Sequence, residues 1–173
     1  RGSIFKVLHL FSGIADKKKG LAEYLRGMGA EVTEVDILNQ ALPNQNILDD
    51  QVWQGYVDRM RKGEFDFVFG GPPCKTFSDA RHEQPGPPVL RDHDYIYGFT
   101  KESEQGRNLR AGHFEAIRID NLLAERMAEA CKIMMDAGKG FGVEQPLSWR
   151  GGPSMFDFES FGSMQKQGAK KVE

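Results

Sequence analysis

"IFKVLHLFSG", residues 4 to 13, decides the fold. Its β-branched and aromatic residues read as a buried strand, and Ser12-Gly13 end it at a tight turn. Downstream, "GLAEYLRGMGA" carries Leu21, Tyr24, Leu25 and Met28 at helical spacing and stops on Gly29. "EVTEVDIL" then resumes a strand and passes through Asp36. Strand, helix, strand at this spacing is what a right-handed parallel crossover needs.

The pattern continues outward. "DDQVWQGYVDRMRKG" starts acidic, carries Val52, Trp53, Tyr56, Val57 and Met60 on one face, and ends on Gly63, which predicts a second amphipathic helix. "FDFVFGG" is the next strand. From His113 to Ala137 the residues Ile119, Leu122, Leu123, Met127, Ala130, Cys131 and Met134 form one stripe of the longest helix. "KGFGVEQP" is the strand that follows it. The expectation is therefore an α/β, Rossmann-like domain over 1–173, with a mainly parallel sheet covered by helices on both faces. Its central strands are Phe5 to Leu10, Phe65 to Gly70 and Phe141 to Glu144, with Glu31 to Asp36 further out. Residues 79–112 hold no sustained period and concentrate Pro, Gly and charge, so they read as a long functional or disordered loop. Residues 147–173 give only weak structural signals.

Composition narrows the classes. At 173 residues, with 28% charged and 39% hydrophobic residues, the chain is that of a globular protein, and no apolar run nears the length of about 20 that a membrane span needs. The short apolar run at the start leads straight into a patterned domain, which argues against a signal peptide. Two cysteines, Cys74 and Cys131, in unrelated contexts suggest neither a disulfide framework nor a metal site, and point to a reducing, intracellular compartment. The four histidines show no ligand spacing. A net charge of -2 means that any polyanion would be held by a local basic surface.

In open parallel sheets, ligands bind beyond the carboxyl ends of the strands. Here those ends carry Phe11-Ser12-Gly13, Asp36, Pro72-Pro73-Cys74 and Glu144-Gln145-Pro146. Gly13 allows close backbone approach to a cofactor, and Asp36 stands where a carboxylate can accept from ribose hydroxyls. Pro72 and Pro73 fix two successive φ angles and stiffen the turn that presents Cys74, which suits a nucleophile. Cys131, on the apolar stripe of a helix, reads as packing. Glu144, after "GFGV", is a candidate proton donor.

"LFSG", "EVD", "GGPPCKTFS" and "GVEQP", in that order, resemble motifs I, II, IV and VI of the cytosine C5-methyltransferases and span about residues 8 to 146. The resemblance implies the S-adenosylmethionine-dependent methyltransferase fold and transfer of a methyl group to C5 of cytosine in DNA. In it Cys74 is the nucleophile and Glu144 holds the base. Phe11, Ser12, Gly13, Asp36 and Pro72 line the S-adenosylmethionine pocket. The position that meets adenine falls on Asn46, or on Asp49 or Asp50 nearby. Pro73, Ser78, Arg81, Gln145 and Pro146 face the substrate. Segment 79–112 begins beside Cys74 and carries Arg81, Arg91, Lys101, Arg107 and Arg110, so it is expected to close over a nucleotide backbone with some of these cations meeting phosphates, or else to be a solvated loop with no role. Two departures stand out: "FSGIADKKKGL" is longer and more basic than the family's first turn, and Gln145 replaces the usual Asn. The chain also ends before the family's target recognition region would fit. Alternatives are a truncated or catalytically weak methyltransferase-like binding module, an enzyme acting on RNA, and a weak homodimer formed through the strand edge beside Glu144.

Overall fold

The computed structural model describes residues 3–15, 18, 20–83, 85–146 and 152–172. Asp16, Lys17 and Lys19 of the long first turn, and residues 147–151 of the C-terminal segment, lie outside the described residues. The chain packs as two compact units, Arg1–Pro72 with Arg126–Glu144, and Pro73–Glu125 with Gln145–Glu173.

The first unit is an α/β layer built on four parallel strands: β1 (Lys6–Leu10), β2 (Glu31–Val35), β3 (Phe67–Gly70) and β4 (Gly140–Val143), in the order β2-β1-β3-β4. Every pairing is parallel: Val7 stands opposite Val32 and Phe67, and Phe67 stands opposite Gly140. Because β2 lies on one side of β1 and β3 on the other, the strand order reverses between β1 and β3, as in doubly wound sheets.

β1 and β3 are central, as expected, whereas β4 lies at an edge of the described sheet and all its residues are half-buried. Its glycines account for the lack of a buried face. Gly140 and Gly142 read as part of an apolar run, yet a Cβ at Gly140 would run into the Phe67 ring and one at Gly142 would stand 3.1 Å from the Phe69 ring. They make room for β3 side chains instead of contributing a buried face of their own.

Helix α1 (Leu21–Gly27) packs Ala22 and Leu25 against Val7 and Val32. Leu21, Tyr24 and Met28, predicted to face the core, are exposed at 40%, 67% and 63%. A two-turn helix buries little, and the small Ala22 rather than the larger residues sets which side approaches the sheet. Helix α2 (Asp50–Arg61) is capped by Asp49, whose carboxylate accepts from Gln51 N at 2.8 Å, and it buries Trp53, Tyr56, Val57 and Met60. It is tied to the second half of α3 (Ala111–Asp136): Trp53 Nε1 donates to Glu129 at 2.8 Å, and Arg126 pairs with Asp50 and the Ile47 carbonyl. Met127 of α3 lies on the Leu10–Gly70 side, opposite to α1; a Cβ at Gly70 would be 2.9 Å from its sulfur. Helices thus cover both faces.

The second unit contains the first half of α3, helix α4 (Glu159–Lys166) and three short 3-10 turns, Asp79–His82, Gly106–Asn108 and Met155–Asp157. Residues 79–112 form no long element, but Leu90, Arg91, Phe99, Ser103 and Gly106 within them are buried. Gly106 packs so closely on the Thr100 carbonyl that no Cβ fits. The described part of the C-terminal segment, residues 152–172, carries structure where only weak signals were expected: Ser154 and Asp157 form a capping box, and Phe158, Phe161 and Met164 are buried at helical spacing. Eight helical residues interrupted by Gly162 are too short a pattern to register as a period. Along α3, Leu123, Met127, Ala130, Cys131 and Met134 are buried as predicted, while Ile119 and Leu122 are half-buried and Asp120 and Arg126 take buried positions.

Candidate functional site

The turn after β1 departs from ordinary backbone geometry. Phe11 has φ 57, unusual for a bulky side chain, and Gly13 has φ 74. The turn is held from three sides. Ser12 N donates to the Val35 carbonyl at 3.4 Å, Gly13 N to Asp36 Oδ2 at 2.9 Å, and Ala15 N to Asn39 Oδ1 at 2.7 Å. Asn39 returns a bond from Nδ2 to the Gly13 carbonyl at 3.0 Å, and Asp36 Oδ1 accepts from Leu38 N at 2.9 Å. Each oxygen of the half-buried Asp36 carboxylate uses one acceptor position here, which leaves the others for a ligand hydroxyl. Among the described residues nothing lies within 4 Å of the place a Gly13 Cβ would occupy. Ile14, Ile37, Leu38 and Leu42 nearby in sequence are exposed apolar residues. A fixed carboxylate with acceptor positions to spare, beside exposed apolar side chains, could hold a ligand that carries hydroxyl groups and an apolar ring. Asn46 is exposed, and its side-chain oxygen accepts from Leu48 N at 3.2 Å.

At the neighbouring strand ends, Glu144 N donates to the Gly70 carbonyl at 3.0 Å, continuing the β3–β4 ladder by one residue. Its side chain is exposed and lies over Gly71, where a Cβ would come within 2.9 Å of Oε2. Gly71 is therefore the seat of the Glu144 carboxylate, and buried Pro72 follows directly. Gln145 is half-buried and Pro146 exposed.

In the second unit, Pro73 and Cys74 are half-buried and open a turn closed by Phe77 N donating to the Cys74 carbonyl at 2.9 Å. Neither cysteine is in a disulfide. Thr76 anchors the turn from below: its N–H and its hydroxyl both donate to Asp120 Oδ2, at 3.0 and 2.7 Å. The Thr76 hydroxyl in turn accepts from Arg91 Nη2 at 2.7 Å, while Arg91 Nη1 donates to the Ile96 carbonyl at 2.8 Å and to Asn121 Oδ1 at 3.0 Å. The Arg91 guanidinium lies over the Phe77 ring, 3.7 Å from its centroid. Burial pulls its pKa down to about 10. Arg91, one of the five cations among which phosphate contacts were expected, is thus an interior residue, 1% exposed. Arg81 is half-buried and braces the loop, donating to the Lys75 and Pro88 carbonyls at 2.5 and 2.8 Å. Half-buried Ser78 accepts Arg81 N on its carbonyl at 3.0 Å.

Sequence reasoning did not single out Thr76 or Asp120, and it placed Arg91 among solvent-facing loop cations. Charged residues in a Pro- and Gly-rich stretch read as solvated, and only Asp120, three residues from both Ile117 and Leu123 on the apolar side of α3, carried a cue. Among the described residues no group of three or more His, Cys, Asp or Glu is placed to hold a metal ion, and no helix is long and apolar enough to cross a membrane. No family model, curated protein or solved structure matches the chain.

Proposed function

We propose that the chain is an S-adenosylmethionine-dependent cytosine C5-methyltransferase acting on DNA. The observation that carries this reading is the Gly13–Asp36 lock at the carboxyl ends of β1 and β2, in a parallel sheet whose next two strands run into the Cys74 and Glu144 motifs. In this reading Phe11, Ser12, Gly13, Asp36 and Pro72 hold the cofactor, with Asp36 accepting from its ribose hydroxyls and Asn46 at the adenine. Bound S-adenosylmethionine supplies an electrophilic methyl group.

The chain's own groups do the rest. The Cys74 thiolate adds to C6 of a cytosine taken out of the base stack, forming an S–C6 bond and shifting electron density to C5. Glu144 holds N3 and the amino group and stabilises the ring as that density builds. After C5 has gained its methyl group, its proton passes to water as the S–C6 bond breaks, and the electron pair leaving with sulfur restores the Cys74 thiolate. Pro73, Ser78, Gln145 and Pro146 line the approach of the base.

The test is a covalent adduct with an oligonucleotide carrying 5-fluorocytosine, in the presence of S-adenosylmethionine. Fluorine cannot leave C5 as a proton does, so elimination stalls and the adduct accumulates. Mass spectrometry should find it on Cys74 and not in Cys74→Ser. An adduct on RNA but not on DNA would move the substrate to RNA. Cofactor binding with no adduct on either would make the chain a binding module.

A further inference from the structure

The buried cation next to the Cys74 turn is not explained by stability. An arginine that is 1% exposed loses its hydration, and a well-packed apolar side chain of similar volume would fill the site without that cost. What the guanidinium provides is geometry. Its Nη2 fixes the Thr76 hydroxyl as an acceptor, so the hydroxyl proton must point to Asp120. Asp120 then takes the Thr76 N–H on the same oxygen, and Phe77 N closes the turn onto the Cys74 carbonyl. Phe77 is held beneath the guanidinium and against Phe158, 5.7 Å between ring centroids. Two segments distant in sequence, at Arg91 and at Asp120, thereby meet on Thr76 and Phe77 of one short turn, and Asn121 accepts from Arg91. The Arg91 Nε remains buried without a hydrogen-bond partner, and the hydrogen bonds that hold the cation to the described residues come from its two terminal nitrogens.

We propose that Arg91, Thr76 and Asp120 are positioning residues that hold the Cys74 turn in its thiol-presenting conformation before substrate arrives. Segment 79–112 then acts on the reaction from inside, through Arg91. The proposal rests on Cys74 being the nucleophile of the reaction above.

The experiment compares wild type, Thr76→Val and Thr76→Ser by three readouts: amide hydrogen exchange at Thr76 and Phe77, the rate of adduct formation with the 5-fluorocytosine oligonucleotide, and S-adenosylmethionine affinity. Thr76→Val removes the hydroxyl with little change of shape. It should raise exchange at Phe77 about tenfold and slow adduct formation about 10- to 100-fold, while cofactor affinity stays unchanged. Thr76→Ser, which keeps the hydroxyl, should bring both back to within about threefold of wild type. If Thr76→Val does not fold, Asp120→Asn takes its place: it keeps an acceptor for the Thr76 N–H, removes the charge, and should move the same readouts the same way. Wild-type exchange and adduct rates in these variants would overturn the proposal. So would losses that follow the melting temperature, include cofactor binding and are not restored by serine. Should wild type form no adduct at all, the methyltransferase reading fails separately, and exchange at Phe77 with iodoacetamide labelling of Cys74 still decides whether the network holds the turn.

Discussion

Asp36 accepts the Gly13 N–H at 2.9 Å on one carboxylate oxygen and the Leu38 N–H at 2.9 Å on the other, so a single side chain ties the end of β2 to the strained turn after β1. Asp36→Ala should weaken S-adenosylmethionine binding by about 1 to 3 kcal/mol, the loss expected when hydroxyls lose an anionic acceptor. Asp36→Asn should fall between, since its one oxygen can serve Gly13 or Leu38 but not both. Isothermal titration reads this directly. Equal affinity in Asp36→Ala would mean that the ribose is held elsewhere.

Two glycines on adjacent strands should respond differently to the same change. The close contact of a Cβ at Gly71 is with the end of the exposed Glu144 side chain, 2.9 Å away, which can swing aside, while the Glu144 carbonyl at 3.5 Å stands at ordinary contact distance. Gly71→Ala should therefore cost less than about 1 kcal/mol of stability, yet reduce methyl transfer about tenfold or more by unseating Glu144. A Cβ at Gly140 meets the Phe67 ring, which packs on the core of Val7, Ala22 and Val32. Gly140→Ala should cost about 1 to 3 kcal/mol through overpacking. Urea unfolding and transfer assays on the pair separate the two effects, and equal destabilisation would refute the assignment of Gly71 as the Glu144 seat.

His9 sets a pH dependence. It is buried on β1 beside Phe69, ring centroids 5.6 Å apart, with its Nδ1 unpartnered. Burial lowers its pKa below 6.5, against the opposing pull of Glu34 and Asp36, and Arg26 adds to the lowering. The unfolded chain therefore binds this proton more readily than the folded one. The stability associated with neutral His9 is complete above the unfolded value and is lost as pH falls below it, until the folded pKa is reached. Urea midpoints taken from about pH 7.5 to about pH 5 should fall in wild type and fall less in His9→Phe. Parallel curves would show that other groups carry the dependence.

Much of the first unit was legible because its signals are local. The strands around Val7, Val32 and Val68 are short apolar runs ended by turn residues, and α2 shows a clean stripe from Trp53 to Met60. The strand ends named Gly13 and Asp36 for the same reason. What was not legible depends on partners far away in sequence. The orientation of α1 follows from Ala22 meeting Val7 and Val32, which no period within seven residues encodes. The glycines of β4 are explained only by the Phe67 and Phe69 rings beside them. Arg91 became an interior residue because Thr76, Ile96 and Asn121 together supply acceptors for it, and a sequence window around "VLRDHD" contains only one of the three.

The two thiols should separate chemistry from packing. Cys131 is fully buried in α3, and desolvation pushes its pKa up to about 12, so in the folded protein it is a protonated packing residue. Cys74 is half-buried at the head of the Cys74–Phe77 turn. Native protein should therefore be alkylated once, at Cys74, with Cys131 reacting only on unfolding. Cys74→Ser should abolish both adduct formation and methyl transfer while leaving the melting temperature and cofactor affinity nearly unchanged, because a serine hydroxyl is almost un-ionised where a thiol is partly ionised. Glu144→Gln should be nearly as damaging to transfer, since the amide still hydrogen-bonds the base but supplies no proton to N3. Cys131→Ser should do the reverse: transfer persists, and stability falls by about 1 to 3 kcal/mol as a hydroxyl enters the packed side of α3. Transfer that survives Cys74→Ser, or is lost only in Cys131→Ser, would overturn the choice of nucleophile.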